Sequence, residues 1–435
     1  MACKPDNIFE KSAMKVVIVG GSISGLMSGI ALKHGGHDVT IIEQDNDQRQ
    51  SHMAGVVLGP DTVEYLARHD RQNSPFCSPS YKIQSLLTED GSTKSLATVT
   101  REVTAWDALY YRLRSCFDGY ISSYYPSHPT PLTTDGSAKL LSRHEVFDFS
   151  RSTSGQQMIL EVRDLDGHKT FEIEADMVIG ADGPNSFIRR RYLPKVQRQY
   201  VGYVIWRGTV PEGEVSPALL ESFKDSLTIC ASQRQYCMAY IIPGKDGSLE
   251  PGQRLLNLAW YTNQSVEDLN RIMLDRLDGH KHATTVPSGH VQEEVWVAQK
   301  KQARAAGFPS PCLDVIFKIR QPFLQAVTEM FSSQAAFEDG KVLLVGDALC
   351  LSRPHVGSGV SQAAFDALSL EDLAAGRISL QQWETRVVRY AHLHSTQATW
   401  WGKWYQQHWT RAMPYGLYYW ACYGIERLRS WWEGH

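Results

Sequence analysis

The stretch from residue 15 to residue 43 constrains the fold of this chain more than any other part of the sequence. It opens with Lys15–Gly20 (KVVIVG), an apolar run of the length of a buried parallel strand. A glycine-containing turn, a helical stretch from Leu26 to about His34 and a second strand, Asp38–Glu43 (DVTIIE), follow. Strand, glycine turn, helix, strand and terminal acid is the order of a dinucleotide-binding βαβ unit, so the sequence predicts a Rossmann-like domain here.

Small residues and one acid give this unit its chemistry. Gly20 permits the tight turn after the strand, and Gly25 lets the helix pack closely against that strand. The helix N-terminus, with Ser22 and Ser24 in the turn, offers unpaired N–H groups and a positive dipole end to a pyrophosphate. Glu43 lies where an acid accepts hydrogen bonds from an adenosine ribose. Ser22 replaces the middle glycine of the usual fingerprint, which leaves a purely structural βαβ unit as the alternative.

Two later strands also end in a turn that contains glycine and aspartate. They are Asp176–Gly183 (DMVIGADG) and Lys341–Ala348 (KVLLVGDA). They place Asp182 and Asp347 at the carboxyl ends of strands, where ligands bind in doubly wound sheets. A nicotinamide dehydrogenase would continue with further βα units instead, so we interpret the dinucleotide as FAD. The alternative for both aspartates is an ordinary strand-end turn.

The glycines that follow Asp347 suit a flat ring system. Gly357 and Gly359 let the backbone approach such a ring, and a helix predicted to begin near Val360 directs its N-terminus at the same place. A reduced flavin carries negative charge on its N1–C2=O edge, which the positive end of a helix dipole stabilises. The pattern therefore favours a flavin.

Composition and charge exclude several classes of protein. The 435 residues suit two or three domains, and a hydrophobic fraction of 43% is that of a globular protein. Lysine and arginine number 44 against 47 acids, so a nucleic-acid partner is not expected. The 8 cysteines are scattered without a CxxC pair, so reduced thiols and no metal site are predicted. The polar first residues and the lack of a long apolar run predict a cytoplasmic location.

A series of segments, in a fixed order between about residues 15 and 395, carries a likeness to a known family. These segments are Gly20–Leu26 (GGSISGL), Trp106–Tyr110, Gly202–Gly208, Tyr240–Gly244, Arg254–Asn257, Trp260–Tyr261, Pro322–Ala326 and Arg353–Val356. Together with the two aspartate turns they resemble the FAD-dependent aromatic hydroxylases of the para-hydroxybenzoate hydroxylase fold, the group A flavoprotein monooxygenases. The likeness is greatest to the 2,6-dihydroxypyridine 3-hydroxylase-like enzymes, whose first turn has the form GGSISGL.

The resemblance implies an α/β fold. A Rossmann-like FAD-binding domain of the glutathione reductase type is expected to contain an inserted antiparallel-sheet substrate domain, which a hairpin joins, and to be followed by a helical C-terminal tail. The predicted boundaries are 1–80, 101–194 and 321–395 for the three parts of the FAD-binding domain, 81–100 for the hairpin, 195–320 for the substrate-binding domain and 396–435 for the aromatic-rich tail.

The resemblance also implies an NAD(P)H-using monooxygenase. NADPH or NADH would reduce FAD and leave, dioxygen would add at flavin C4a, and the resulting hydroperoxide would pass one oxygen atom to an aromatic or otherwise electron-rich small molecule. Two alternatives stay open. One is an epoxidase or oxidative cyclase acting on a terpenoid, alkaloid or polyketide of secondary metabolism, and the other is a flavin oxidoreductase that inserts no oxygen.

Matching the family's motifs position by position gives the expected FAD contacts. The family's arginine near the ribityl chain is absent, because Trp106 stands there, and Arg112 is predicted to replace it. The segment Ser51–Val56 matches the loop along the flavin, in which His52 is predicted to anchor the flavin or transfer a proton, or else to be solvated. The expected cofactor contacts are Gly20, Ser22, Ser24, Gly25, Glu43, Gly55, Val56, Arg112, Asp182, Gly346, Asp347, Pro354, Gly357 and Gly359.

Four further residues are candidates for the substrate pocket. Arg207 lies on a predicted strand and would bind a phenolate or carboxylate, or else lie on the solvent face. Tyr236 and Tyr240 share the parity of one strand and therefore one of its faces, either the pocket or the outside. His355 is expected on the flavin side of the pocket.

The tail after residue 395 holds seven of the 12 tryptophans. Pro414 and Gly416 are predicted to split it into two helical pieces. Tryptophan and tyrosine together with Arg427 and Arg429 are typical of helices at a membrane interface. Packing on the FAD-binding domain or in a homodimer is the first interpretation, and peripheral membrane contact is the alternative.

Overall fold

The computed structural model of this chain describes residues 13–47, 54–86, 92–232 and 234–433. The strands are β1 Lys15–Val19, β2 Asp38–Ile42, β3 Gly55–Leu58, β4 Ser78–Leu86, β5 Thr93–Ala105, β6 Ala138–Leu141, β7 His144–Arg151, β8 Met158–Asp164, β9 Thr170–Ala175, β10 Met177–Gly180, β11 Gln199–Pro211, β12 Ser226–Ser232, β13 Gln235–Ile242, β14 Leu255–Asn263, β15 Thr285–Val286, β16 Phe323–Phe331, β17 Ala336–Phe337, β18 Val342–Leu344 and β19 Cys350–Leu351. The helices are α1 Ile23–His34, α2 Pro60–His69, α3 Trp106–Asp118, α4 Phe187–Tyr192, α5 Pro217–Glu221, α6 Val266–Ile272, α7 Glu293–Ala306, α8 Ser310–Lys318, α9 Ser358–Ala374, α10 Leu380–Gln406 and α11 Trp409–Glu433.

The first sheet is almost entirely parallel and contains the predicted βαβ unit. Its strand order is β17-β18-β10-β1-β2-β6, and only β17 runs antiparallel to its neighbour. Val17 on β1 pairs with Thr40 on one side and Val178 on the other. Every residue of β10 and β18 is buried, as expected for parallel strands covered on both faces. The predicted Rossmann-like α/β domain is confirmed.

The second sheet is large and mostly antiparallel. Its order is β15-β16-β11-β14-β13-β12-β4-β5-β3, and β19 pairs with β16. β4 and β5 form an antiparallel hairpin that enters this sheet through a parallel pairing of β4 with β12, Lys82 opposite Ser226. The hairpin thereby extends the sheet that was predicted for the substrate.

Two predicted domain boundaries differ from this topology. β16 begins at Phe323, within the predicted third FAD segment, yet it pairs with β11 along the second sheet, Phe323 opposite Arg207. β3, from the predicted first FAD segment, also lies in this sheet, where Val57 pairs with Val103. Both strands form backbone hydrogen bonds with neighbouring strands of the second sheet. The sequence breaks from which the domain boundaries were predicted do not show which strands pair.

A third sheet, β7-β8-β9, is antiparallel and lies beside the parallel sheet. Its buried residues Val146, Phe149, Leu160 and Val162 belong to the same hydrophobic core as the parallel sheet. It therefore widens the parallel-sheet half of the molecule.

Two long helices end the chain, and they differ from the predicted tail. Ser379 starts α10 with a capping box, and α10 continues to Gln406. The break then falls at 407–408, so the prediction that Pro414 and Gly416 divide the tail is wrong. Pro414 lies inside α11, where it removes the backbone donor at that position but does not end the helix. Gly416 allows close packing, because a Cβ there would lie 2.7 Å from Nε1 of Trp400.

No helix among the described residues is both long and apolar enough to cross a membrane.

Candidate active site

A cavity of about 1330 Å³ lies between the two main sheets. The carboxyl ends of β1, β2, β10 and β18 open onto one side of it, and β11, β13 and β14 supply residues to the other. The cavity exceeds the roughly 300–1,000 Å³ that a drug-sized ligand occupies. It therefore has room for a large cofactor together with a substrate.

The glycine turn after β1 forms one corner of the cavity. Gly20 has φ +103°, and a Cβ there would lie 2.4 Å from the carbonyl oxygen of Ala181. Ser22 and Ser24 line the cavity, and the buried Ser24 hydroxyl has no hydrogen-bond partner among the described residues. Gly25 does not line it; a Cβ there would lie 2.0 Å from the Gly20 carbonyl oxygen. Gly25 thus serves the helix–strand packing that the sequence predicts, without facing the cavity.

Glu43, at the end of β2, lines the same corner. Its side chain is buried, and Oε2 accepts a hydrogen bond from the N–H of Gly21 at 2.6 Å. Oε1 accepts another from the N–H of Asp45 at 2.9 Å. These bonds fix a carboxylate beside the turn, at the position where the sequence predicts it.

Asp182 divides its two oxygens between the fold and the cavity. Oδ2 accepts hydrogen bonds from the N–H groups of Phe187 at 2.6 Å and Ile188 at 3.2 Å, so it caps the start of α4. Oδ1 is buried and has no partner in the described part of the chain, and burial raises the pKa of this carboxyl. A buried oxygen without a donor is a place where a ligand hydroxyl would bind.

Asp347 follows Gly346, just after the end of β18, and is one of the residues that line the cavity. Burial raises the pKa of its carboxyl to about 6, while the charge of Arg198 acts in the opposite direction. The turn that carries it is fixed by Asp366 of α9, whose Oδ2 accepts from the N–H of Gly346 at 2.7 Å. Burial raises the pKa of Asp366 to about 8. Sequence reasoning missed Asp366, although a lone aspartate among small and apolar residues of a helix is a usable signal.

The N-terminus of α9 faces the cavity. Gly357, with φ +64°, precedes the helix, which begins at Ser358, close to the predicted start near Val360. Gly357, Gly359 and Pro354 all line the cavity. The positive end of the α9 dipole is therefore directed at its interior.

Like Gly25, Arg112 is a predicted contact that does not line the cavity in the structure. Arg112 is buried away from it: Nε donates to Asp70 Oδ2 at 2.6 Å, and Nη1 and Nη2 donate to the carbonyls of Ser74 and Gln72, each at 2.7 Å. Its guanidinium is thus fully used in fixing the 70–74 loop, so the prediction that Arg112 contacts the cofactor is corrected. His52 lies outside the described residues.

Gly55, at the start of β3, is held from both sides. Arg207 Nη2 donates to the Gly55 carbonyl at 2.8 Å, and the Gly55 N–H donates to Asn257 Oδ1 at 3.0 Å. A Cβ on Gly55 would lie 2.7 Å from the ring of Tyr240. Gly55, Val56, Arg207 and Tyr240 all line the cavity. Asn257 was missed, although it stands in one of the motifs that carried the family likeness.

Arg207 has a buried donor that is not used by any described group. Its Nε is buried and has no partner among the described residues, while Nη2 is bound to Gly55. Of the two faces left open by the sequence, the structure places Arg207 on the cavity side. Arg207 therefore lines the cavity with a donor that no described group uses.

His355 sits between two tyrosines. Tyr236 OH is hydrogen-bonded to Nδ1 of His355, and Tyr203 OH to its Nε2. Burial and the nearby Arg353 lower the pKa of His355 to about 3, so the ring is neutral. A neutral imidazole donates at one nitrogen and accepts at the other, so one tyrosine hydroxyl donates to the ring and the other accepts from it.

Stacked aromatic rings form the wall opposite the parallel sheet. Tyr236 lies between Tyr261, at a centroid distance of 4.5 Å, and Tyr405, at 4.3 Å. Tyr405 and Trp401, both on α10, line the cavity with Tyr236 and Tyr240. Residues 396–406, which the sequence assigned to a separate tail, thus belong to the site.

The donor set fits FAD. Ser24 and Asp182, each with a buried oxygen that has no partner among the described residues, line a cavity whose glycine turns leave no room for side chains. Carboxylates lie where sugar hydroxyls would donate, and two helix N-termini lie where a pyrophosphate and an anionic ring would bind.

Two family models match parts of the chain. The model described as FAD binding domain matches residues 13–69, which include the first βαβ unit. The model described as FAD binding domain-like matches residues 200–329, which include much of the second sheet.

Several known proteins resemble the chain over most of its length. The 2,6-dihydroxypyridine 3-monooxygenase of Paenarthrobacter nicotinovorans is 28% identical over 385 residues, 87% of this chain and 88% of that enzyme. The solved 2,6-dihydroxypyridine-3-hydroxylase of Arthrobacter nicotinovorans aligns with a TM-score of 0.76 and 25% identity, over 91% of this chain and 93% of that one. Klebsiella pneumoniae HpxO, complexed with FAD and uric acid, shares the fold, with a TM-score of 0.68 and 16% identity over 96% of this chain and 94% of that one. The predicted likeness is confirmed.

Proposed function

Because this chain is an FAD-dependent monooxygenase with the fold of the aromatic hydroxylases, we propose that it uses NADPH or NADH and dioxygen to hydroxylate an aromatic or otherwise electron-rich small molecule. One observation carries the proposal: a single cavity joins the polar strand ends and helix N-termini to a wall of stacked tyrosines. The reductant and the flavin C4a-hydroperoxide route belong to this proposal.

The parallel-sheet side of the cavity would hold the cofactor. The turn with Ser22 and Ser24 suits the pyrophosphate, Glu43 the adenosine ribose and Asp347 a ribityl hydroxyl. The N-terminus of α9 suits the charged edge of the flavin ring. FAD, when bound, supplies the activation of dioxygen and the transfer of one oxygen atom.

The second sheet and α10 would surround the substrate. Tyr240, Tyr261 and Tyr405 would offer aromatic surface to a planar ring. Arg207 would donate to a phenolate or carboxylate oxygen of the substrate. An electron-rich ring would thereby be oriented against the aromatic wall of the cavity.

The hydrogen bonds of His355 set what Tyr236 offers to the cavity. With the imidazole proton on Nε2, the Tyr236 hydroxyl donates to Nδ1 and turns its lone pairs to the substrate. With the proton on Nδ1, Tyr236 accepts from the ring and is free to donate its own proton. The tautomer of His355 thus switches Tyr236 between accepting from and donating to a substrate hydroxyl.

The experiment that tests this function measures NAD(P)H oxidation with candidate hydroxypyridines and phenols and then uses ¹⁸O₂. We expect substrate to stimulate NAD(P)H oxidation and one labelled oxygen to enter the ring of the product. Turnover without label would instead assign a non-oxygenating oxidoreductase, and label in an epoxide would assign an epoxidase. Purified protein that neither contains nor takes up flavin contradicts all three.

We also propose that α11 is a peripheral membrane contact. Ala412, Gly416 and Tyr419 form its buried stripe, whereas its other large apolar residues are exposed. These exposed residues are Trp409, Met413, Tyr415, Leu417, Tyr418, Trp420, Tyr423, Ile425, Leu428, Trp431 and Trp432. Arg411, Arg427 and Arg429 lie on the same helix, so aromatic side chains and cations coincide, as at the surface of an anionic bilayer.

A further inference from the structure

A group of metal-ligating side chains lies in the segment 273–291, between α6 and α7. Nε2 of His282 and Nδ1 of His290 each lie 2.7 Å from the same carboxylate oxygen, Oδ2 of Asp275. The three ligand atoms all lie within 4.8 Å of one another. None of these residues lines the cavity between the sheets.

The backbone holds the three side chains in this arrangement. Asp275 forms a β-bridge with Val291, the neighbour of His290, and Leu274 forms another with Lys281, the neighbour of His282. The N–H of Leu277 donates to Oδ1 of Asp275 at 2.8 Å, which leaves Oδ2 to the two histidines. The backbone bridges and the hydrogen bond to Asp275 therefore hold the three side chains close together before any ion binds.

An ion can reach the cluster from solvent. The Asp275 side chain is only 6% exposed, but those of His282 and His290 are 19% and 29% exposed. The carboxylate forms the base of a shallow site, and the two imidazoles form its rim. A water molecule would have access to a further coordination position.

We propose that Asp275, His282 and His290 form a zinc site. Two imidazole nitrogens and one carboxylate oxygen are ligands that Zn²⁺ takes, with a fourth position left for water, whereas Ca²⁺ and Mg²⁺ prefer oxygen ligands alone. Zinc bonds of about 2.0–2.1 Å in a tetrahedron place ligand atoms about 3.3 Å apart. The 2.7 Å separations would therefore open by about half an ångström as Zn²⁺ takes the place of the N–H protons directed at Oδ2, while each imidazole stays neutral with its proton on the other ring nitrogen.

Such a site would close a loop at the edge of the second sheet. The loop between His282 and His290 contains β15, whose Thr285 pairs with Gln325 of β16. Gln325 lines the cavity between the sheets. Zinc would thus hold the edge strand β15 against β16, which contributes Gln325 to the cavity wall.

The test uses the untagged, FAD-saturated protein after removal of metals with a chelator. Titration with ZnCl₂, followed by calorimetry and metal analysis, should give one zinc per chain and a higher Tm. His282→Ala and His290→Ala should each weaken zinc affinity at least tenfold, and the double variant should lose the site. The metal-free, FAD-saturated protein of each variant is first checked for an unchanged circular dichroism spectrum and an unchanged FAD content.

His168→Ala, which removes an exposed histidine elsewhere, is the matched control and should bind zinc like the parent. The proposal is overturned if the parent binds no zinc under these conditions. It is equally overturned if zinc binding survives in the double variant, because the metal would then be held elsewhere, for example by the buried thiols of Cys230, Cys237 and Cys312.

Discussion

At the scale of single residues, the site is marked by buried acids whose charge the fold does not fully compensate. Asp182 has an oxygen without a partner, and burial raises the pKa of both Asp347 and Asp366. Burying a carboxylate costs free energy unless something donates to it. We therefore attribute the burial of each of these carboxyl groups to a bound ligand or to a proton that neutralises it, and not to a contribution to stability alone.

Replacing Asp347 with alanine should weaken FAD binding. A buried hydrogen bond to a charged acceptor is worth about 1.5–3 kcal/mol, which is about a ten- to hundredfold increase in Kd. Fluorescence titration of the apoprotein with FAD measures this. Asp347→Asn, which still accepts a hydrogen bond, should lose less. Equal affinity of the alanine variant and the parent would refute the placement of this residue at the cofactor.

Asp366 should make the folded protein less stable as pH rises. Its pKa of about 8 in the folded state lies above its ordinary value of 3.8, so between these values the folded state holds a proton that the unfolded state releases. The free energy of unfolding therefore falls with pH in this window, by at most about 1.4 kcal/mol per pH unit.

Asp366→Asn should flatten that dependence, because the amide oxygen still accepts from Gly346 and carries no charge. The measurement is Tm between pH 5 and pH 8 on FAD-saturated protein. Asp339→Asn, at an exposed carboxylate, is the control. A slope as steep in Asp366→Asn as in the parent would show that the group is already ionised.

Tyr236→Phe should impair the reaction and leave the cofactor bound. The substitution keeps the ring stack with Tyr261 and Tyr405 and removes the hydroxyl that His355 orients. Losing one hydrogen bond of about 0.5–1.5 kcal/mol should lower kcat/KM for a hydroxylated substrate about three- to tenfold. Tyr405→Phe is the control, and a comparable loss in both variants would argue against a special role for Tyr236.

At the scale of elements, α10 is one continuous helix, although the predicted boundaries divide its residues between the FAD-binding domain and the tail. It begins at a capping box beside the parallel sheet, and its last turns carry Trp401 and Tyr405 to the cavity. A Cβ on Gly402 would lie 2.7 Å from Nε2 of His355, so the helix packs against the histidine with no side chain between. The helix is thus part of the site, while α11, which packs on it, is largely exposed.

Deleting residues from Arg411 onward should abolish binding to anionic vesicles. The deletion removes most of α11 and its exposed aromatic residues but keeps α10, so bound FAD should be unchanged. Co-sedimentation with phosphatidylserine-containing liposomes measures it. Trp420→Glu should weaken binding, and Val266→Glu, at an exposed apolar residue elsewhere, should not. If the deletion instead converts a dimer to a monomer by light scattering, the surface belongs to a second copy of the chain.

At the scale of the whole molecule, one ligand would contact both main sheets. FAD at a hundredfold excess over Kd should stabilise the fold by about 2.7 kcal/mol. Because β3 of the second sheet also lines the cavity, hydrogen exchange should slow at the turn after β1 and also along β3. Protection confined to the parallel sheet would show that the cofactor does not reach the second sheet.

Local patterns predicted the parts of this structure that depend on local chemistry. Gly20, Glu43, Asp182 and Asp347 stand at strand ends that any parallel sheet brings to one edge, so their placement follows from the strand pattern. Arg112 was misassigned because a helix position alone does not tell which loop receives its guanidinium.

Residues brought to the site by tertiary packing were missed for the same reason. Trp401 and Tyr405 look like any other aromatic residues of the tail until α10 is seen to pass His355. The Asp275–His282–His290 cluster has no recognised spacing, since two β-bridges, and no helix or short turn, bring it together.

The order of the strands in the parallel sheet has a consequence for how the chain acquires its fold during synthesis. β1 cannot complete its pairing until β10 has been synthesised, since Val16 pairs with Met177. β10 in turn cannot complete its pairing until β18 has been synthesised, since Val178 pairs with Val342. Neither main sheet is complete until β16 and β18 have left the ribosome, so the growing chain exposes unpaired strand edges for most of its translation. We expect this protein to be aggregation-prone as a nascent chain and to gain yield from slower translation or added chaperones, even though its finished core is well packed.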